Sequence, residues 1–140
     1  FPVLGNPANL ARAVSLTFEE FHYAFANAIP ENEARTLYDR YAIPAPGRPL
    51  FQAATATFNP HAETAVDVKN HTRGPLLLIS GESDHTVPPV LVEAAHGLYR
   101  HSRAVTELKS FPNRGHSLVI DHGWREIADY ILVWLNRQDL

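Results

Sequence analysis

Apolar and polar residues in the first 60 positions recur with the spacing of helices. Thr17 is followed three positions later by Glu20, which is the pattern of a capping box at a helix N-terminus. A helix is therefore predicted from about residue 17 to residue 28. Its apolar face consists of Phe18, Phe21 and Phe25.

A second helix is predicted to begin at Pro30 and Glu31, because proline suits the first turn, and to end at Pro44. Its apolar positions are Ala34, Leu37, Tyr38 and Tyr41. The run 43–49 contains three prolines, which remove backbone donors and fix φ, so a stiff loop without regular structure is predicted there. Residues 50–58 allow a third short helix.

After residue 60 the pattern changes to strands that alternate with helices. Residues 76–79 are uninterrupted apolar positions bounded by Gly81, as is typical of a strand covered on both faces of a parallel sheet. A helix is predicted to begin at Pro88 and Pro89. Its apolar face, predicted to pack over the residues that follow, consists of Val90, Leu91, Ala94, Leu98 and Tyr99.

A second strand is predicted at residues 105–111, although its apolar and polar positions alternate imperfectly. The last helix has the clearest pattern, and Asp121 can cap it. Its apolar positions are Trp124, Ile127, Ala128, Ile131, Leu132 and Leu135. The order strand, helix, strand, helix predicts two parallel strands joined by a crossover helix.

Composition narrows the class of protein. The chain of 140 residues, 45% hydrophobic and 19% charged, has the balance of a soluble globular domain with one core. A net charge of −3 without a basic stripe argues against nucleic acid, and no apolar run is long enough to span a membrane, so neither partner is expected. The absence of cysteine excludes disulfides and suits a cytoplasmic location. Because the chain opens at Phe1 without methionine or a signal-peptide pattern, we expect a fragment or processed product.

Two loops that should open at the same edge of the parallel sheet carry residues suited to acid–base chemistry. Asp84 follows the first predicted strand of that sheet, and His116 follows the second, 32 positions later. A strand-helix-strand unit takes roughly 30 residues, so the two side chains can meet across these loops. A carboxylate that binds one ring nitrogen of histidine leaves the other nitrogen free as a general base. The pair is therefore predicted to be catalytic.

Residues 81–88, Gly-Glu-Ser-Asp-His-Thr-Val-Pro, resemble the acid loop of the α/β-hydrolase superfamily, and residues 115–117, Gly-His-Ser, resemble its histidine loop. The order of acid before histidine also matches that family. The resemblance implies an α/β fold class, as the C-terminal part of a doubly wound, mostly parallel α/β-hydrolase sheet. It further implies that residues 1–60 form a helical lid and that residues 61–140 belong to the core.

The nucleophile of that family lies in a Gly-x-Ser-x-Gly motif, and no such pentapeptide occurs in this sequence. The resemblance therefore implies an esterase-like hydrolase of a small, largely apolar substrate, inactive alone and active only with an N-terminal half that carries the nucleophile. Phe25, Val87 and Leu118 are expected to line the substrate site. No cofactor and no metal ion are expected.

Simpler interpretations compete with the catalytic one. Asp84 could be a turn residue that caps the following helix, and His116 could make a structural hydrogen bond. His116, Asp121 and His122, with His85 nearby, could bind a metal ion, although the sequence contains no HExxH motif. The chain could also be a non-catalytic fragment or an association module.

Within enzymes, the resemblance leaves the nucleophile open. An aspartate nucleophile, as in epoxide hydrolases and dehalogenases, is the alternative to a serine esterase, because the acid and histidine loops serve both. Lid tyrosines polarise the ring oxygen in epoxide hydrolases that this chain resembles, which draws attention to Tyr23, Tyr38 and Tyr41. Nothing in their sequence context singles out one of the three.

Overall fold

The computed structural model describes residues 3–59, 62 and 65–140, and it mixes helices with small sheets, as in the α/β class. The predicted boundary between residues 60 and 61 lies outside the described residues. The helices are α1 (Phe18–Phe25), α2 (Glu31–Tyr41), α3 (Arg48–Thr55), α4 (Pro89–Leu98) and α5 (Trp124–Arg137), with short 3-10 helices at Pro7–Ala11 and Ala56–Phe58. The strands are β1 (Ala13–Val14), β2 (Ala45–Pro46), β3 (Leu76–Gly81) and β4 (Thr106–Phe111).

Strands β3 and β4 pair in parallel, in register from Leu76 opposite Thr106 to Gly81 opposite Phe111. Helix α4 lies between them in sequence and contacts both, so the predicted strand-helix-strand unit is confirmed. Each strand starts within one residue of its predicted position, and β3 continues past residue 79 to Gly81. Because β3 ends at Gly81 and β4 ends at Phe111, the acid loop (residues 81–88) and the histidine loop (residues 111–117) lie at one edge of the sheet.

Helices α1 and α2 share a small core. The predicted capping box is present, since the Glu20 N–H donates to Thr17 Oγ1 over 3.2 Å and the Thr17 N–H donates to Glu20 Oε2 over 2.9 Å. Helix α1 ends at Phe25, earlier than predicted, and Ala26 is its C-cap. The buried residues of this core are Phe21, Ala26, Ile29, Ala34 and Leu37.

The prediction that the run 43–49 has no regular structure is wrong at two positions. Ala45 and Pro46 form β2, which pairs antiparallel with β1, and β1 itself was not predicted. A two-residue ladder at an edge needs few backbone donors, so a proline is tolerated there. Gly47 follows directly, and a Cβ at this position would collide with the carbonyl oxygen of Asn9.

The third predicted helix is confirmed with shifted ends. Helix α3 begins at Arg48, before the predicted start at residue 50, and Pro49 lies in its first turn, where a missing N–H leaves no helical bond unmade. It ends at Thr55, and the following 3-10 turn reaches Phe58.

Helix α5 confirms the prediction for the last helix and buries Ile127 in a second core with Phe111 and Leu118. Trp134, which lies outside the predicted apolar face, is also buried, whereas Leu132 from that face is 58% exposed. With 14 residues, α5 is the longest helix of the described chain. None of the described helices has the length and apolar character needed to cross a membrane.

The apolar face predicted for α4 is not buried, which corrects the prediction. Val90 is 64% exposed, and Leu91 and Leu98 are each 56% exposed. Helix α4 contacts both strands but has no fully buried residue. A sheet of two strands is only about as wide as one helix, so it cannot cover the whole apolar stripe.

Strand β3 has one hydrogen-bonded neighbour in the described part of the chain, which leaves its other edge open. The Leu76 N–H donates to the Val105 oxygen, so the alternation of a strand turns the N–H and C=O groups of Leu77 and Ile79 toward the open edge. Residues 76–79 are apolar throughout, as in interior strands, whereas β4 carries polar residues typical of an outer strand. The open edge of β3 is therefore the side on which further strands would add.

Candidate active site

Asp84 and His116 meet where the two parallel strands end. His116 Nδ1 lies 2.9 Å from Asp84 Oδ2, so the contact predicted from their spacing is confirmed. Because an ionised carboxylate only accepts hydrogen bonds, Nδ1 carries the proton of this bond. Nε2, on the opposite side of the ring, has no hydrogen-bond partner among the described residues, and the side chain is 31% exposed. The lone pair of Nε2 is thus available to accept a proton.

The Asp84 carboxylate also closes its own loop. Its Oδ1 accepts the backbone N–H groups of Thr86 at 2.7 Å and Val87 at 2.8 Å. The interpretation of Asp84 as a turn residue therefore holds for one oxygen, while the other oxygen binds His116. Because both oxygens are held and the residue is 7% exposed, the carboxylate is fixed in its orientation toward the imidazole.

Backbone hydrogen bonds join the acid loop directly to the histidine loop. The Glu82 N–H donates to the Phe111 oxygen over 3.0 Å, and the Ser83 N–H donates to the Arg114 oxygen over 2.9 Å. Gly81 permits this close approach, since a Cβ there would lie 2.5 Å from the Arg114 oxygen. The two loops form one hydrogen-bonded unit that fixes the acid relative to the histidine.

A buried ion pair supports the histidine loop between His116 and α5. Asp121, which is 1% exposed, pairs with the guanidinium of Arg114. Arg114 also donates to the Leu118 oxygen over 3.3 Å, and its Nη1 lies 3.6 Å from Glu126 Oε2. Asp121 was predicted to cap α5, but Gly123 is the N-cap, and the Asp121 carboxylate accepts the Gly123 N–H at 2.9 Å instead. Its role is to close the turn that leads from the histidine to the helix.

The C-terminal end of α1 packs onto both loops. The last carbonyl groups of a helix lack partners within the helix, and here three of them accept hydrogen bonds from the acid and histidine loops. The pairs are His85 Nδ1 with the Tyr23 oxygen at 3.0 Å, Thr86 Oγ1 with the Ala24 oxygen at 2.6 Å, and the Ser117 N–H with the Phe25 oxygen at 2.9 Å. The segment predicted to be a lid is thereby fixed to the loops that carry Asp84 and His116.

Phe25, the last residue of α1, and Asn27, just beyond the helix end, complete the contact. The rings of Phe25 and His116 pack edge to face, with their centroids 5.0 Å apart and an interplanar angle of 72°. Asn27 Nδ2 donates to the Ser83 oxygen over 2.8 Å. The sequence indicated Phe25 as part of an apolar helix face and as a lining residue, but it indicated neither the contact with His116 nor that of Asn27, because both contacts arise from tertiary packing.

A cavity of about 860 Å³ lies against α1, the segment 41–50 and the acid loop. Phe25 lines this cavity, and its ring also contacts His116, which is not itself a lining residue. His85 and Thr86 contribute to the wall from the acid loop. Most of the other lining residues are apolar, which suits a largely apolar ligand.

The other two predicted lining residues lie elsewhere. Leu118 is 8% exposed and belongs to the core with Phe111 and Ile127, so its prediction as a lining residue is corrected. Ile127 of α5 belongs to the same buried cluster. Val87 is 38% exposed at the surface of the acid loop and does not line the cavity either.

No described residue presents a nucleophile to His116 Nε2. Ser117 follows the histidine, but it is buried, and its hydroxyl lies 3.4 Å from Asp121 Oδ2. Within the described ranges, no group of three or more histidine and carboxylate side chains is placed to hold a metal ion. The metal site considered for His116, Asp121, His122 and His85 is therefore not formed by those residues.

A second histidine–carboxylate pair was not foreseen from the sequence. Glu33 on α2 accepts the backbone N–H of His122 at 2.6 Å and lies 2.7 Å from its Nδ1. The His122 side chain is 65% exposed, in contrast to that of His116. This pair ties α2 to the turn before α5, and neither residue lines the cavity, so it provides a natural comparison for the catalytic candidates.

Comparison with known proteins reveals no relative, since the chain matches no family model and no curated protein or solved structure is significantly similar to it. The function has to be inferred from the geometry of the site.

Proposed function

We propose that this chain supplies the acid and the histidine of an α/β-fold hydrolase that acts on a small, largely apolar substrate. The observation that carries the proposal is the 2.9 Å contact between Asp84 Oδ2 and His116 Nδ1, which leaves Nε2 unpaired within the described chain. The cavity beside Phe25 supports the apolar character of the substrate. Residues 1–60 act as the lid, and residues 61–140 act as the C-terminal part of the doubly wound sheet.

The proposed chemistry follows from the tautomer of His116. Its Nε2 removes a proton from a nucleophilic hydroxyl group or from water, either of which is a poor nucleophile at neutral pH without a base. The imidazolium that forms is stabilised by the Asp84 carboxylate, whose second oxygen stays bound to the loop. Nε2 then returns the proton to the leaving group.

The nucleophile comes from a segment that adds strands to the open edge of β3. Such strands would pair with the exposed backbone groups of Leu77 and Ile79, and their own C-terminal ends would lie at the same rim as His116. A serine there gives esterase chemistry. An aspartate there gives the chemistry of epoxide hydrolases and dehalogenases, in which His116 would activate water.

One observation bears on the aspartate alternative. Tyr23 and Tyr41 line the cavity, whereas the Tyr38 hydroxyl donates to the Leu16 oxygen over 3.0 Å. Tyr23 and Tyr41 are thus the two candidates for a lid tyrosine that polarises an epoxide oxygen. A fluorophosphonate probe would label a serine nucleophile, whereas single turnover in H₂¹⁸O would place ¹⁸O in an aspartate nucleophile.

Ester hydrolysis by the intact protein, with the segment that completes the sheet, tests the proposal. His116→Ala and Asp84→Asn should each lower kcat by roughly 10⁴-fold, because the base is removed or its tautomer is no longer fixed. His122→Ala and Glu33→Gln are matched controls, since they disrupt an exposed histidine–carboxylate pair, and they should leave kcat within about twofold. Near-normal turnover by His116→Ala would remove this histidine from the mechanism.

The open edge of β3 favours a second candidate, an association module without catalysis. In that case the open edge of β3 would bind a strand of a partner, and the pair formed by Asp84 and His116 would be structural. The two candidates differ in one result. If His116→Ala and Asp84→Asn abolish turnover but do not change binding of the segment that completes the sheet, the chain is a hydrolase. If the wild-type protein with that segment has no hydrolytic activity, the chain is an association module.

A further inference from the structure

The cavity beside Phe25 and the acid loop has an unbalanced charge. Glu19 and Glu20, from the first turn of α1, line it, and none of its lining residues is a lysine or arginine. We infer that the cavity selects an apolar molecule that carries a protonated amine, and that it disfavours a carboxylate or phosphate of the same size. Its assignment as the substrate cavity rests on the proposed function.

Both carboxylates are held by hydrogen bonds at the start of the helix. A hydrogen bond to its own backbone N–H, and then a bond with the Thr17 hydroxyl, lower the pKa of Glu19 below its ordinary value. Glu20 Oε2 accepts the Thr17 N–H at 2.9 Å in the capping box. Because each carboxylate has more lone pairs than these bonds use, both can still accept hydrogen bonds from a ligand.

The two polar residues that the acid loop contributes to the cavity wall, His85 and Thr86, also offer hydrogen-bond acceptors. His85 Nδ1 lies 3.0 Å from the Tyr23 oxygen, and a carbonyl can only accept, so Nδ1 carries the proton and Nε2 of the neutral ring is left as an acceptor. The Tyr23 ring packs beside that of His85, with centroids 4.6 Å apart. Thr86 uses its hydroxyl proton in the 2.6 Å bond to the Ala24 oxygen, which leaves oxygen lone pairs for a ligand.

Arg35, the cation that acts on the Glu19 carboxylate, is engaged elsewhere. The guanidinium of Arg35 lies 3.8 Å from the centre of the Phe18 ring and pairs with Glu31 at 3.5 Å. Arg35 has the smallest of the effects on the pKa of Glu19, and it does not line the cavity. The cavity therefore combines a largely apolar wall with acceptors and negative charge, and this combination complements an amphiphilic cation.

Three ligands of equal chain length test this selectivity in the intact protein: octylamine, 1-octanol and octanoate. Their dissociation constants are measured by titration calorimetry below micelle formation, and chemical shift changes at Tyr23 and Ile43 show that they bind in the cavity. Octylamine should bind about fivefold or more tightly than 1-octanol, as expected for partly screened charge pairs, and octanoate should bind weakest. Raising NaCl to 0.5 M should reduce the differences between the three dissociation constants, because salt screens charge.

Variants connect the preference to the two carboxylates. The double variant Glu19→Gln/Glu20→Gln should bind octylamine no more tightly than 1-octanol, and glutamine at position 20 keeps the capping box. Glu93→Gln, on the exposed surface of α4, should keep the wild-type preference. Equal binding of octylamine and octanoate by the wild type, or no binding of any of the three in the cavity, would overturn the inference. A preserved octylamine preference in a protein without hydrolytic activity would support the selectivity and overturn only its link to catalysis.

Discussion

Arg114 has two carboxylate partners of very different burial, and this difference predicts the cost of removing each. The Asp121 side chain is fully buried, the Arg114 side chain is 13% exposed, and the Glu126 side chain is 64% exposed. Breaking a buried ion pair leaves a charge without its partner and costs about 3–5 kcal/mol, whereas an exposed pair contributes at most about 1 kcal/mol. Asp121→Asn should therefore destabilise the protein severely, and Glu126→Gln should not.

The assay is urea unfolding followed by circular dichroism. With an m-value of about 2 kcal/mol per molar urea, a loss of about 4 kcal/mol lowers the midpoint for Asp121→Asn by about 2 M. The midpoint for Glu126→Gln should fall by less than about 0.5 M. Because Asp121 closes the turn next to the histidine loop, we also expect slower turnover by Asp121→Asn under native conditions. Equal and small shifts for both variants would refute the assignment of Asp121 as the buried support of this loop.

Two further predictions follow: one concerns the contact between the acid and histidine loops, and the other concerns the open edge of β3. Gly81→Ala should push the acid and histidine loops apart, and a displacement of about 1 Å would lower kcat by about 10²-fold. Gly97→Ala is the control, because a Cβ at position 97 meets nothing within 4 Å, and it should leave kcat unchanged. Equal kcat for both variants would contradict this packing. In the isolated chain, the amides of Leu77 and Ile79 should exchange with solvent faster than that of Leu78, and the chain should aggregate or pair with another chain. In the protein that includes the completing segment, the amides of all three residues should be protected from exchange. Equal exchange rates for the three amides in an isolated chain that stays monomeric would argue against an open edge.

The elements with a strong local signal were predicted well from the sequence. The capping box of Thr17 and Glu20 set the start of α1, and the apolar run before Gly81 identified β3. The meeting of Asp84 and His116 followed from chain order, because consecutive parallel strands place their following loops at one edge. Such features depend on residues that are close in sequence or on general rules of topology.

Features that depend on contacts between distant residues were missed. The pairing of β1 with β2 joins two-residue segments that carry no periodic pattern of their own. Leu118 was predicted to line the substrate site, but it belongs to the buried cluster with Ile127 of α5. The bond between Asn27 and Ser83 joins positions 56 residues apart, and no spacing rule predicts it. The apolar face of α4 was recognised, but the sequence did not show how little surface a two-stranded sheet provides to cover it.

Nuclear magnetic resonance of protein labelled with ¹⁵N in its histidines tests most directly whether Asp84 orients His116 as a general base. When the ring is neutral, we expect the proton of His116 on Nδ1, with a strongly deshielded ¹H signal from its hydrogen bond, and a bare Nε2. Asp84→Asn should remove that signal, whereas Glu33→Gln should leave it unchanged. A neutral His116 protonated on Nε2 in the wild-type protein would contradict the proposed role of this pair.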